Sequence, residues 1–294
     1  SIYTMKLNGV NPKNNKRVVE LIVLSDIHLG TYGCHAKELL QYLKSIDPNT
    51  VVLNGDIVDI WQFSKRYWPK SHMKVVKLFF KWISEGKDVH YITGNHDEML
   101  RKFEGFKMGS FAIQNKIVLE LDGKKAWFFH GDVFDFTMQH SKWIAKLGAI
   151  GYDTLIIVNS CINFVSEFFG KGKISLSKKI KDSVKSAVKF INNFEETVSS
   201  IAMTKKYDFV ICGHIHQAAM KEISSNNQKV TYLNSGDWVE NLTALEYNNK
   251  KWTLYKYNEH DFSTMNEVDL DDENDILNKT DKAIFNQLVT EFIQ

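Results

Sequence analysis

Five short segments of this 294-residue chain end an apolar run in side chains that bind cations or move protons. They are Asp26-Ile27-His28, Gly55-Asp56, Gly94-Asn95-His96-Asp97, His130-Gly131-Asp132 and Gly213-His214-Ile215-His216. Carboxylate, imidazole and carboxamide donors in one set suit divalent ions of borderline hardness, Mn2+ first, with Fe and Zn as alternatives. The donors suffice for two ions rather than one. Two ions about 3.5–4 Å apart can share a carboxylate and prepare water for in-line attack on phosphorus. Asp26 and His28 are two residues apart, so an extended backbone points both side chains the same way. Gly55 permits a tight turn that projects Asp56 from its strand end.

The elements that must position these residues alternate helix and strand. Leu21 to Leu24 is apolar without a break and reads as a strand buried on both faces. Leu39, Leu40 and Leu43 give Ala36 to Ser45 a helical period, with Pro48 as its stop. Val51 to Leu53 reads as a strand, Met73 to Ser84 as a helix and Asp88 to Thr93 as a strand. Lys116 to Leu121 and Lys125 to Phe129 form a hairpin through Asp122-Gly123. Phe209 to Cys212 and Val230 to Leu233 are further strands, and Leu242 to Tyr247 pairs with Lys251 to Tyr257 across an Asn-Asn-Lys turn. Functional polar residues at the C-terminal ends of strands are the expected placement in an α/β protein, and the hairpins make the sheets mixed.

From Phe134 to about Lys206 strand signals vanish. Met138 to Phe169 is strongly apolar, and Ile180, Val184, Val188, Ile191, Phe194, Val198 and Ile201 repeat at helical spacing. Lysines including Lys171, Lys173, Lys178 and Lys179 lie between and among these stretches. The segment 136–206 therefore reads as a helical cap inserted in an α/β domain of residues 17–260, with an acidic tail and short helix at 261–294. Apolar helices beside lysines offer an acyl groove with a basic rim, which could also meet an anionic membrane surface. Trp61, Arg66 and Trp68 lie in an aromatic and basic run that could stack on a base or grip a pyrophosphate. A formal net charge of +2 gives no global field for nucleic acid. Three scattered cysteines fit a reduced, cytoplasmic setting. Gly148 to Phe169 approaches membrane-span length, but Asp153, Asn159, Asn163 and Glu167 make spanning costly.

The ordered blocks resemble the calcineurin-like metallophosphoesterase superfamily over residues 20–240. The resemblance implies two packed mixed sheets flanked by helices, a four-layer αββα sandwich. It implies that Asp26, His28 and His216 hold one metal, that Asn95, His130 and His214 hold the other, and that Asp56 bridges them. His96 would hydrogen-bond the phosphoryl oxygen or protonate the leaving oxygen, with Asp97 orienting it. The Trp61 to Pro69 run, the His130-Gly131-Asp132-x-x-Asp135 block, the helical insertion and Asn234 to Glu240 further resemble the bacterial branch grouped with UDP-2,3-diacylglucosamine diphosphatases. These enzymes of lipid A synthesis cut a pyrophosphate to give UMP and a lipid monophosphate. Well-known members carry Asn-Arg-Asp where this chain has Asn95-His96-Asp97, and His96 is the wider superfamily's version. The implied substrate is a nucleotide-linked or phosphorylated lipid, met in the cytoplasm or at the inner face of the inner membrane, with Lys171, Lys173, Trp61, Arg66 and Trp68 as contacts. The alternatives are a soluble nucleotide phosphodiesterase, a phosphatase or a nuclease of the same superfamily, and a metal-binding scaffold without catalysis.

Overall fold

The computed structural model describes residues 10–11, 16–60, 67–134 and 176–262. In chain order the elements are β1 (Val10–Asn11), β2 (Lys16–Leu24), α1 (Ala36–Ser45), β3 (Ile46–Asn54), α2 (Lys70–Ser84), β4 (Asp88–Ile92), β5 (Lys107–Met108), β6 (Phe111–Gln114), β7 (Lys116–Leu121), β8 (Lys124–Phe129), α3 (Leu176–Thr204), β9 (Phe209–Cys212), β10 (Ala219–Ser225), β11 (Gln228–Asn234), β12 (Thr243–Asn248) and β13 (Lys251–Lys256). The first sheet runs β13-β12-β2-β3-β4-β6-β5, with β1 beside β2, and β2, β3, β4 and β6 are parallel. The second runs β10-β11-β9-β8-β7, parallel at β11-β9-β8 and antiparallel at both edges.

The apolar run Leu21 to Leu24 explains the layering. Ile22 and Leu24 join the core shared with Leu39, Leu43, Val75 and Trp82 of α1 and α2. Leu21 and Val23 face the other way, into a core with Phe128, Phe209, Ile211 and Leu233 of the second sheet. Burial on both faces is what makes the sequence continuously apolar. A third core lies outside the second sheet, where Phe194, Val198 and Ala202 of α3 pack on Trp127, Phe129, Val210 and Tyr232. Two mixed sheets flanked by helices, the expected four layers, result.

Several boundaries differ from the sequence reading. Helix α1 keeps the expected bounds, but Pro48 is not its stop: it lies within β3, and the chain is already extended at Ile46. Strands β5, β6 and β10 were not expected; β10 is mostly exposed and so carries no clean alternation. The turns of α3 from Phe194 onward fall inside the segment read as a cap, and they pack as the outer layer of the second sheet. Residues 136–175, with the apolar stretch Met138 to Phe169, lie outside the described residues, as does the tail from residue 263.

Phe194 ties this outer layer to the site. Its ring is fully buried, and its Cζ lies 3.0 Å from the position a Cβ would take on Gly131, next to His130. Phe194→Ala is expected to lower unfolding free energy by about 3–5 kcal/mol, read by denaturant titration. His72 anchors the loop after β2 by accepting the Gly30 N–H at Nδ1, 2.9 Å away. Burial lowers its pKa to about 4 from the usual 6.5. Above pH 6.5 both folded and unfolded forms are neutral and nothing is lost. As pH falls from 6.5 toward 4 the unfolded chain takes up a proton the fold refuses, so stability falls. His72→Asn keeps an acceptor but cannot titrate, and is expected to show a shallower acid loss of melting temperature across that window than wild type.

Candidate active site

Each block sits where a strand stops, and the backbone there turns at once. Asp26, His28, Asp56, His214 and His216 have φ of 51°, 54°, 54°, 69° and 51°. This left-handed region costs a non-glycine residue on the order of 1 kcal/mol. Other non-glycine residues with positive φ, such as Asp122, Asn226 and Asn249, occupy turns between strands. Asp26 and His28 therefore do not converge through the extended backbone that the sequence suggests, because β2 has ended at Leu24. They converge through two left-handed turns fixed by hydrogen bonds from Asp26 N to Gly55 O and His28 N to Asp56 O, 3.0 and 2.9 Å.

Glycines make room for the side chains. A Cβ on Gly94 would lie 2.2 Å from Asp56 Oδ1, and one on Gly55 would lie 2.3 Å from His130 Nδ1. Gly55 also has φ of 84°, so the turn reading holds, but the space for His130 is the stronger demand. Side-chain to backbone bonds lock the segments together. His96 N donates to Asp56 Oδ1 at 2.8 Å, and His214 N to Asp26 Oδ2 at 3.0 Å. His130 Nδ1 meets Asn54 O at 2.8 Å, which turns Nε2 toward Asp56.

Three groups of side chains result, each with ligand atoms within 4.8 Å of one another: Asp26, His28 and His216; Asp56, His130 and His214; and His28, Asp59 and His96. His216 Nε2 is 3.2 Å from Asp26 Oδ1, and His130 Nε2 is 3.2 Å from Asp56 Oδ2. Asp26 Oδ1, His28 Nε2, Asn95 Oδ1 and His130 Nε2 are buried without a hydrogen-bond partner among the described residues. Buried polar atoms left without partners are costly, and a cation would satisfy these together. The donor set thus fits the divalent ions that the sequence implies.

Electrostatics point the same way. Burial by itself would push the Asp26 and Asp56 carboxyls up. His216 and His130 beside Asp26, and His130, His28 and His96 around Asp56, instead hold both well below the usual carboxylate range. Burial opposes charge on the histidines too, yet Asp56 and Asp26 raise His130 well above 6.5, and Asp26 raises His216 to about 9. The carboxylates demand positive charge. The His216 side chain is 37% exposed and that of His96 19%, so the cleft opens on their side.

One role changes hands. Asp97 was expected to orient His96. Its carboxylate instead accepts from Gly94 N, Ile57 N and the Tyr91 hydroxyl at 2.6, 3.0 and 2.6 Å, which holds the turn itself. Burial, then the nearby Asp56, push the Asp97 carboxyl up to about 6. The residue against His96 Nδ1 is Asp59, 2.8 Å away, and the same Asp59 oxygen is 3.3 Å from His28 Nδ1. Sequence reasoning missed Asp59. Its one signal was a carboxylate three residues past Asp56 in the otherwise apolar stretch Ile57-Val58-Asp59-Ile60. Asp237 was quoted only for resemblance. It caps the N–H groups of Val239 and Asn241 and lies 3.9 Å from His216 Nδ1. Trp68 is half-buried against the first core and edge-on to His72. Trp61, Arg66, Lys171 and Lys173 lie outside the described residues.

A UDP-2,3-diacylglucosamine hydrolase of Aliivibrio fischeri (strain MJ11) is 23% identical over 242 residues, covering 80% of this chain and 98% of the relative. One from Vibrio cholerae serotype O1 (strain El Tor Inaba N16961) is 23% identical over 250 residues, covering 80% and 97%. A solved archaeal phosphodiesterase is 13% identical with a TM-score of 0.37, covering 80% of this chain and 98% of its own. The model of the calcineurin-like phosphoesterase family matches residues 19–218. The chain belongs to that family and is a metal-dependent phosphoesterase.

Proposed function

We propose that this chain hydrolyses a phosphoester or pyrophosphate bond in a nucleotide-linked or phosphorylated lipid such as UDP-2,3-diacylglucosamine, releasing UMP and the lipid monophosphate. The observation that carries this reading is the convergence of Asp26, His28, Asp56, His130, His214 and His216 on one opening at the strand ends. The names of the two relatives support the lipid-linked substrate. In this reading Asp26, His28 and His216 would hold one Mn2+, Asn95, His130 and His214 would hold a second, and Asp56 would serve both. When bound, the ions neutralise charge on the phosphoryl oxygens and make water acidic enough to attack. His96, braced by Asp59 at Nδ1, donates from Nε2 to the phosphoryl or leaving oxygen. Asp97 keeps the Gly94 turn in place, so that the His96 N–H stays on Asp56. Trp61, Arg66, Trp68, Lys171 and Lys173 contact base, phosphate or lipid head group. No helix among the described residues is long and apolar enough to cross a membrane. The protein works in the cytoplasm and meets its lipid at the inner face of the inner membrane.

A second reading, a soluble nucleotide phosphodiesterase, is favoured by His96, since Asn95-His96-Asp97 resembles the wider superfamily's block rather than the Asn-Arg-Asp of well-known members of the diacylglucosamine branch. Turnover by Mn2+-loaded protein on UDP-2,3-diacylglucosamine, a soluble aryl phosphodiester and DNA separates the two. Preference for the lipid with release of UMP supports the first; turnover of the aryl diester alone overturns it. Asp56→Ala is expected to abolish activity with loss of bound metal. His96→Asn should keep most of the metal, measured by elemental analysis, while turnover drops roughly 10²–10⁴-fold. Equal metal loss in both variants contradicts the separate roles. Chelation should abolish activity, and Mn2+ should restore it.

A further inference from the structure

Tyr32, in the loop between His28 and α1, pairs with Tyr67, just ahead of α2, and the chemistry above uses neither. Tyr32 is 82% exposed, yet its ring centroid lies 3.7 Å from that of Tyr67, with the planes 33° apart. Tyr67 meets the His72 ring edge-on at 6.0 Å, and Trp68 meets the same ring at 5.7 Å. His72 is buried and bonded to Gly30. An exposed side chain thus rests on a base that reaches the core. One face of Tyr32 is spent on Tyr67, and its exposure leaves the other open.

The loop is pinned on both sides of the cleft. Thr31 N and Oγ1 both return to the His28 carbonyl, at 3.2 and 2.9 Å. His35 N donates to Trp238 O at 2.9 Å, beside the Asp237 turn that faces His216. Four residues of chain reach at most about 14 Å, and the Thr31 turn shortens that. The Tyr32 backbone therefore lies within the span of a nucleoside diphosphate from His28.

We propose that Tyr32, backed by Tyr67, is the stacking platform for the nucleobase of a nucleotide-linked substrate. This rests on the reading of the site as a hydrolase of nucleotide-linked esters, and it adds where the base goes. Among the described residues of this loop, Gly30 and Gly33 carry no side-chain hydrogen-bonding group and the Thr31 hydroxyl donates to the His28 carbonyl, so the feature offered beside them is an aromatic face. A nucleobase needs only the π-face, and stacking of this kind tolerates any base.

The test is calorimetric binding of UMP, AMP and ribose 5-phosphate to Mn2+-loaded protein. Wild type and Tyr32→Phe are expected to bind both nucleotides alike, and Tyr32→Ala to weaken both by about tenfold. Ribose 5-phosphate should bind all three proteins equally. With a nucleotide-linked substrate Tyr32→Ala should raise KM by a similar factor at unchanged kcat, while KM for an alkyl phosphate ester stays put. Unchanged nucleotide binding in Tyr32→Ala overturns the platform, as does a parallel loss for ribose 5-phosphate. Absence of all phosphoester turnover would sink the hydrolase reading alone, because the binding measurements still report on Tyr32.

Discussion

Buried carboxylates and imidazoles crowd one point in this protein, and the protein itself does not satisfy them. Asp26, His28, Asn95 and His130 all present lone-pair atoms that nothing nearby completes with a hydrogen bond among the described residues. Such a cluster is unstable unless positive charge enters it. Asp26 and Asp56 raise the pKa of His130 and His216 against the cost of burial, which shows how strongly this cluster draws positive charge. The rest of the architecture can be understood as the means of holding this cluster together against its own repulsion.

Those means are mostly backbone. Five ligand-bearing residues accept left-handed conformations, and each segment is tied to its neighbour by short main-chain or side-chain bonds. Asn54 donates to Phe129 O and receives His130 at its own carbonyl, so β3 and β8, from different sheets, are joined just below the cluster. Ser25 and Ser235 join β2 and β11 in the same way, with their hydroxyl oxygens 2.6 Å apart. The glycines matter here for volume more than for flexibility, since Gly94 has no room for a methyl group beside Asp56.

Packing supplies the rigidity behind these turns. The two sheets share the core of Val23, Val52, Phe128, Ile211 and Leu233, so their C-terminal strand ends cannot drift apart without opening that core. At the far end of β2, Arg17 makes two bonds of 2.6 and 2.7 Å to Glu246, and Tyr42 adds a third at 2.9 Å, which ties β2, β12 and α1 together. On the cleft side Asp59 meets His28 and His96 at once, at 3.3 and 2.8 Å, so the proposed cation ligand and the proposed proton donor share one support.

The order of the polar blocks, the apolar strands before them and the mixed hairpins were legible because each is local. Four apolar residues in a row need burial on two sides, and Gly-Asp or Gly-Asn-His at a strand end needs a reason. Hence burial of β2 on both faces could be read from residues 21 to 24 and the candidate cation-binding groups from the five blocks, whereas the four layers followed only from the resemblance to a family. Local patterns could not say why Asp26 and His28 converge, because that depends on hydrogen bonds to Gly55 and Asp56 from another strand. They could not choose between Asp97 and Asp59 as the partner of His96. Adjacency in sequence favours Asp97, but the turn at Gly94 consumes that carboxylate and delivers Asp59 from the neighbouring loop. Nor could they tell that the end of α3 covers a sheet, since its helical period is the same whether it packs on strands or on other helices. Sequence determined which groups are present and the spacing that separates them along the chain. Contacts between segments far apart in that chain decided which group each one meets, because only folding brings their backbones within hydrogen-bond reach.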